Sequence, residues 1–231
     1  MSESAPRQRS VLFDTETTGL DPLTGHRVIE IAALELEGDL PTGKHFHRLL
    51  HPGRDIPDEV VRIHGITNEH VRDAPRFVEV VEELLVFFGD SPLIAHNAPF
   101  DFGFLDAEFA RTGHPPLHRP RMIDTMVLAR KRFPGMHNSL DALCRRFAID
   151  LSERTTHNAL LDCRLLAEVY VELTGGRQRG FSLDADRQQA MGVAVYHASG
   201  TRTPRPIVPD AAELAAHAAF VARLKAPLWR E

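Results

Sequence analysis

Asp14, Glu16, Asp101, Asp162 and His157 are the residues of this chain whose types could do chemistry together. Asp14 and Glu16 stand in Phe13-Asp14-Thr15-Glu16-Thr17-Thr18-Gly19. Asp101 closes His96-Asn97-Ala98-Pro99-Phe100-Asp101, and His157 and Asp162 bound His157-Asn158-Ala159-Leu160-Leu161-Asp162. Each acid sits at the end of an apolar run or within a helical pattern, where a sheet-based fold can gather distant carboxylates. Carboxylates so gathered cannot all stay ionised without cations. Divalent metals with a histidine base are suited to breaking a phosphodiester bond. Period-two geometry puts Asp14 and Glu16 on one face of a strand. The step from His157 to Asp162 would sweep roughly 500° of regular helix, so the two would not share a helical face. The spacing therefore predicts His157 on a loop and Asp162 one turn inside the helix that follows. An imidazole with a pKa near ~6.5 suits a general base at neutral pH. Each signal alone also has a plain structural reading. Asp-x-Glu can be a solvated strand end, Asp101 can face a helix dipole, and His157 is one of 13 histidines.

The elements that must position these groups follow from periodicity and breakers. Ser10–Asp14 reads as a buried strand ending on Asp14, and Thr17–Gly25 as a turn-rich stretch. Arg27–Glu37 and His45–Leu50 read as further strands, separated by a Gly38–Gly43 turn. Arg76–Gly89 has helical spacing with a glycine stop, Ser91–His96 is a short strand, and Pro99–Gly113 is a helix that opens on proline. Arg121–Asp124 is a strand, and helices follow at Thr125–Phe133, Ser139–Phe147 and Asn158–Thr174. Strands in succession, then strands alternating with helices, predict an α/β fold: a mixed sheet with helices on its faces.

Composition sets limits on partners and compartment. A net charge of −5 does not mark a nucleic-acid binder, yet a clustered acidic site neutralised by metals is compatible with it. Cys144 and Cys163 fall in amphipathic helical patterns and are expected to be buried, reduced thiols. Met1–Ser10 lacks an apolar stretch after its arginines, and no segment reaches transmembrane length. The expectation is a cytoplasmic protein with no membrane partner.

The three motifs in this order resemble the DEDD exonucleases of the histidine subtype, which have an RNase H-like fold. Ile63-His64-Gly65-Ile66-Thr67 and Ile123-Asp124-Thr125 are similar to the family's intermediate segments, so the resemblance covers about Arg9–Gly175. It implies that Asp14, Glu16, Asp101 and Asp162 bind two Mg²⁺ or Mn²⁺ and that His157 takes a proton from the attacking water. It further implies release of a nucleoside monophosphate from a single-stranded 3′ end of DNA. A mismatched terminus is favoured because it is cheaper to unpair. Thr15, Ile63, His64, Asn97 and Phe102 are the candidates for gripping the terminal nucleotide. Asn158 departs from the glycine common at its position.

Beyond the motifs the composition changes. Residues 1–176 are expected to form the exonuclease domain, 177–209 a flexible linker, and 210–231 a short helical tail. Gln178, Phe181 and Leu183 resemble a Gln-x-x-apolar-x-apolar peptide that docks on a sliding clamp, with Leu183 where an aromatic is common. Asp210 is a credible N-cap with Glu213 three residues on. Leu214, Val221 and Leu224, with Trp229 near the end, resemble the tail by which proofreading members of the family hold the catalytic (alpha) subunit of a replicative polymerase. Two alternatives stay open: a free-standing repair or RNA-trimming exonuclease, and a scaffold that chiefly bridges polymerase and clamp.

Overall fold

The computed structural model describes residues 8–154, 156–175 and 209–224. The chain divides into two units, Met1–Ser182 and Leu183–Glu231.

The first unit is built on a mixed five-stranded sheet in the order β3-β2-β1-β4-β5. Its strands are β1 (Arg9–Thr17), β2 (Val28–Glu37), β3 (Leu40–Leu49), β4 (Leu93–Ala95) and β5 (Met122–Asp124). β1 pairs antiparallel with β2 and parallel with β4, so it is the central strand where the direction of pairing changes. The helices are α1 (Asp58–His64), α2 (Phe77–Phe88), α3 (Ala98–Thr112), α4 (Thr125–Arg132), α5 (Leu140–Arg146) and α6 (Ala159–Leu173).

Alternation along β1 divides the core between the two faces of the sheet. Val11 and Phe13 pack with Phe88 from α2 and Phe102, Leu105 and Phe109 from α3. Phe13 meets the Phe88 ring at 5.4 Å and the Phe102 ring at 5.8 Å between centroids, a spacing typical of favourable tilted aromatic pairs. Leu12 points to the opposite face, with Ala32 and Ile94, against Leu143, Cys144, Cys163 and Leu166 of α5 and α6. Both cysteines are free and buried, as their helical pattern predicts. A smaller cluster of Ile29, Ile56, Val60, Ile66 and Val71 seats α1 and the loops around it.

Three local features differ from the sequence reading. β1 does not end at Asp14 but runs on through Glu16 to Thr17, because β2 continues the ladder opposite it with Asp14 facing Ala32 and Glu16 facing Glu30. β3 begins at Leu40, not His45, because the hairpin closes through Gly38 and Asp39, with Gly38 at φ 67°. That tight turn leaves Leu40 and Pro41 free to pair with Glu37 and Leu36, and Pro41 is tolerated because β3 is an edge strand. The helix α1 has seven residues, too few to show a period, yet Asp58 and Glu59 open it and Gly65 closes it at φ 75°.

The second unit is described through one helix, α7 (Ala211–Val221). Asp210 caps it and exchanges hydrogen bonds with Glu213, the capping box expected from the sequence. None of its residues is buried, and Leu214, Phe220 and Leu224 are exposed. Gln178, Phe181, Leu183 and Trp229 lie outside the described residues. Among the described residues no helix is long and apolar enough to cross a membrane.

Candidate active site

A cleft of about 370 Å³ opens over β1, and Asp14, Glu16, Asp101, His157 and Asp162 all line it. Four elements deliver these five groups. Asp14 and Glu16 come from β1, on the face that α6 covers. Asp101 comes from the first turn of α3, which begins after Asn97 turns the chain at φ 64°. The Asp101 carboxylate accepts from the Thr15 backbone N–H at 3.1 Å and from the Thr15 hydroxyl at 2.7 Å. Those two bonds fasten the start of α3 to the middle of β1. Asp162 lies in the first turn of α6, and His157 sits on the loop just before the Asn158 N-cap, as the five-residue spacing predicts. The His157 N–H donates to the Ile63 carbonyl at 3.1 Å, which ties the loop to α1.

Glu16, His157 and Asp162 offer ligand atoms that all lie within 4.8 Å of one another. Carboxylate oxygens with one imidazole suit a hard or borderline divalent cation. The electrostatics point the same way. Burial, then Asp101, Glu16, Asp162 and Glu30, hold the Asp14 carboxyl well above the usual carboxylate range. Burial, then Asp162, Glu30 and Asp101, push Glu16 up to about 8. Asp101 is raised to about 7 by burial, against the pull of its Thr15 hydrogen bonds. Such a cluster is short of positive charge at neutral pH, and bound divalent cations would supply it.

Glu30 supports the site from behind. It is 1% exposed. Its carboxylate accepts from His47 Nε2 at 2.7 Å, Asn158 Nδ2 at 3.1 Å and the Ala159 N–H at 3.0 Å. The Asn158 side chain also accepts from the Leu161 N–H at 3.0 Å, so it caps α6 while bracing it against β2. A glycine at 158 could make neither bond. Asp124 plays a similar part for α3 and α4, accepting from the Asn97 N–H at 3.1 Å and the Met126 N–H at 2.9 Å.

The candidate nucleotide-gripping residues are not all brought to the cleft. Thr15 lines it. Ile63 is half exposed on α1, and Asn97 is exposed at the turn into α3. His64 is buried, and its Nδ1 accepts from the Ile66 N–H at 3.0 Å. Phe102 is fully buried between Phe13 and the guanidinium of Arg119, so it presents no face to a nucleotide. Phe100, two residues earlier, is the aromatic that lines the cleft. Helical period explains the exchange: Phe102 falls on the α3 face that covers the sheet, and Phe100 does not. Arg154, which also lines the cleft, carries no motif signal in the sequence.

Residues 11–170 match the family described as Exonuclease. The chain is 46% identical over 221 residues to the DNA polymerase III subunit epsilon of Rickettsia prowazekii, covering 94% of this chain and 96% of the relative. It is 42% identical over 194 residues to the subunit of the same name from Escherichia coli, covering 80% of each. Among solved structures it resembles exonuclease X in complex with 5′ overhanging duplex DNA. That match has a TM-score of 0.54 and 28% identity, and covers 71% of this chain and 90% of the other. The fold is also that of the nuclease domain of 3′hExo, a DEDDh family member bound to rAMP. There the TM-score is 0.63 at 18% identity, covering 73% and 92% of the two chains.

Proposed function

The chain belongs to the exonuclease family, among the epsilon subunits of DNA polymerase III, and we propose that Asp14, Glu16, Asp101, Asp162 and His157 carry its hydrolysis. It is a 3′–5′ exonuclease that proofreads, it binds DNA, and it associates with a polymerase. The observation that carries the assignment of residues is the convergence of these five side chains on one cleft.

The family uses divalent metal ions, and the reading here is two Mg²⁺ or Mn²⁺ held by Asp14, Glu16, Asp101 and Asp162, of which Glu16 and Asp162 have ligand atoms within 4.8 Å of each other and of His157. Ions so held supply charge neutralisation to the phosphate and acidify an attacking water. The chain's own residues do the rest. Asp101 is held rigid by Thr15, so the α3 and β1 carboxylates keep a fixed separation. His157 is half exposed at the cleft mouth, where it can take a proton from water and pass it to solvent. Thr15, Asn97, Ile63 and Phe100 offer hydrogen-bonding and apolar surface to the last nucleotide. A frayed 3′ end enters more readily than a paired one because it has already lost its stacking and pairing.

Residues 1–176 then form the nuclease, 177–209 the linker with its clamp-docking peptide at Gln178, Phe181 and Leu183, and 210–231 the tail that holds the polymerase alpha subunit. Supporting the tail reading, Leu214 and Phe220 are exposed on a capped helix and Leu224 is exposed just beyond its end. A replication subunit of this kind works in the bacterial cytoplasm.

The test is co-elution of the full-length chain with its host's replicative polymerase, followed by 3′-mismatch excision in Mg²⁺. Faster removal of mismatched than paired ends is expected. A chain ended after Gly176 should keep its turnover on short single strands and lose the polymerase. Polymerase binding that survives the truncation would overturn the tail assignment.

A further inference from the structure

Residues 130–146 reverse the sign of the chain. Their seventeen positions hold five arginines and lysines against one acid, Asp141, in a protein of net charge −5. They span the end of α4, the loop that follows and α5. Both helices start at the cleft, where Met126 on α4 and Asp141 on α5 line the wall. Arg130 and Arg145 each stand four residues further on, hence on the same helical face one turn out. Burial, and with a smaller effect the Arg130 charge, hold the cleft-lining His96 below its ordinary range, so Arg130 lies near that wall. The helix on the other motif, α1, has no such excess: it sets Arg62 against Asp58 and Glu59.

The five cations divide into two sets. Arg132 and Arg146 build the loop. Arg132 donates to the Glu172 carbonyl and lies over the Phe147 ring at 5.7 Å. Arg146 donates to Asn138 Oδ1 at 3.2 Å and to the His137 carbonyl at 3.1 Å, and lies over the Phe133 ring at 4.5 Å. The other three are not used by the fold. Arg130 and Lys131 are exposed and make no hydrogen bond or ion pair among the described residues. Arg145 is 73% exposed and touches Asp141 only at 3.7 Å, a surface pair that contributes little. A helix dipole favours cations at both helix ends, but it acts alike on every face. It does not explain why Arg130 and Arg145 extend the cleft wall.

We propose that Arg130, Lys131 and Arg145 form a phosphate track: they take the backbone of the single strand whose 3′ end lies in the cleft, on its 5′ side. The inference rests on the exonuclease reading above and adds the route by which the strand leaves. Arg154 is the only arginine or lysine lining the cleft, so the phosphates beyond the terminal nucleotide must find their cations outside. The track begins one helical turn from the wall that such a strand crosses. Contacts to phosphate position a strand without reading its sequence. That suits an enzyme that must accept any base upstream of the one it removes.

The experiment gives the full-length protein two substrates at fixed Mg²⁺ and rising KCl. One is a single-stranded oligonucleotide. The other is the p-nitrophenyl ester of thymidine 5′-monophosphate, which has no upstream phosphate. Arg130→Gln, Lys131→Gln and Arg145→Gln together should raise KM for the oligonucleotide about tenfold or more, with kcat little changed. The log–log slope of its salt dependence should fall by about two, the share of three phosphate contacts on a single strand. Against the ester the triple variant should match wild type. Arg130→Lys with Arg145→Lys keeps the charges and should keep the KM and the slope. If the triple variant fails on the ester too, each single variant should still lower the slope by about 0.7. An unchanged KM and slope would overturn the track. An equal loss on both substrates in the single variants would overturn it as well, by showing that these residues act through the fold. So would an unchanged oligonucleotide KM with lost polymerase co-elution, which would give the patch to an acidic protein surface. Wild type that cleaves neither substrate would instead overturn the exonuclease reading beneath it.

Discussion

Replacing Glu30 should weaken the fold and ease the site at the same time. Its carboxylate takes three donors, His47 Nε2, Asn158 Nδ2 and the Ala159 N–H, and is 1% exposed. In Glu30→Gln one of the two oxygens becomes an NH₂ group. Whichever way the amide turns, at least one donor then faces another donor. A stranded buried donor costs about 1–3 kcal/mol, so a loss of about 2 kcal/mol is expected. That is a substantial part of a total stability of about 5–15 kcal/mol. The second effect has the opposite sense. The Glu30 charge, which faces Glu16 across the β1–β2 ladder, is among the causes that hold Glu16 up at about 8 and Asp14 well above its ordinary range. Without that charge both carboxyls ionise at lower pH, and the midpoint of Mn²⁺ binding against pH should move down. Urea unfolding gives the first number and Mn²⁺ titration across pH gives the second. A stability change under about 0.5 kcal/mol, less than any stranded donor costs, would refute the brace. A midpoint that stays put or rises would refute the electrostatic argument.

His157→Ala should lower kcat by about 10²–10⁴ while Mn²⁺ still binds, and a fall of less than about tenfold would place the base elsewhere. In the metal-free protein Glu16 ionises near 4.5 when unfolded and near 8 when folded, so unfolding releases its proton first. Stability should therefore fall as pH rises through that window and level off above it, and Mn²⁺ should offset the loss. Chemical denaturation across pH in EDTA and in Mn²⁺ measures this, with a flat EDTA profile the contrary result. Arg27→Met takes from Glu108, which is 1% exposed, its bidentate partner (Arg27 Nε at 2.6 Å and Nη2 at 2.7 Å) and leaves it the Val28 N–H at 3.3 Å and Arg111 at 3.7 Å. Thermal unfolding should show a cost of about 3 kcal/mol, largely recovered when Glu108→Leu is added.

The sequence by itself determined the chemical inventory and the class of fold. Asp14, Glu16, Asp101, His157 and Asp162 sit in motifs whose local spacing dictates local geometry. Period two puts Asp14 and Glu16 on one face of β1, and a five-residue step puts His157 on a loop and Asp162 in a helix. Apolar period was enough to find α2, α3 and α6 to within a residue or two, because each buries a continuous stripe. What only the tertiary structure decided is who faces whom across the sheet. β1 extends past Asp14 because β2 pairs with it. Glu30 reads as an ordinary strand residue until Asn158 and Ala159 close on it from a segment far along the chain. Phe102 and Phe100 are alike in the sequence and part only when α3 is laid on the sheet. Arg154 looks like any loop arginine until Asp141, His157 and Asp162 surround it. The physical reason is common to all four. Backbone geometry and periodicity act over a few residues and are written locally. Burial and the pairing of charges depend on the distance between elements, and that distance exists only once the chain has folded.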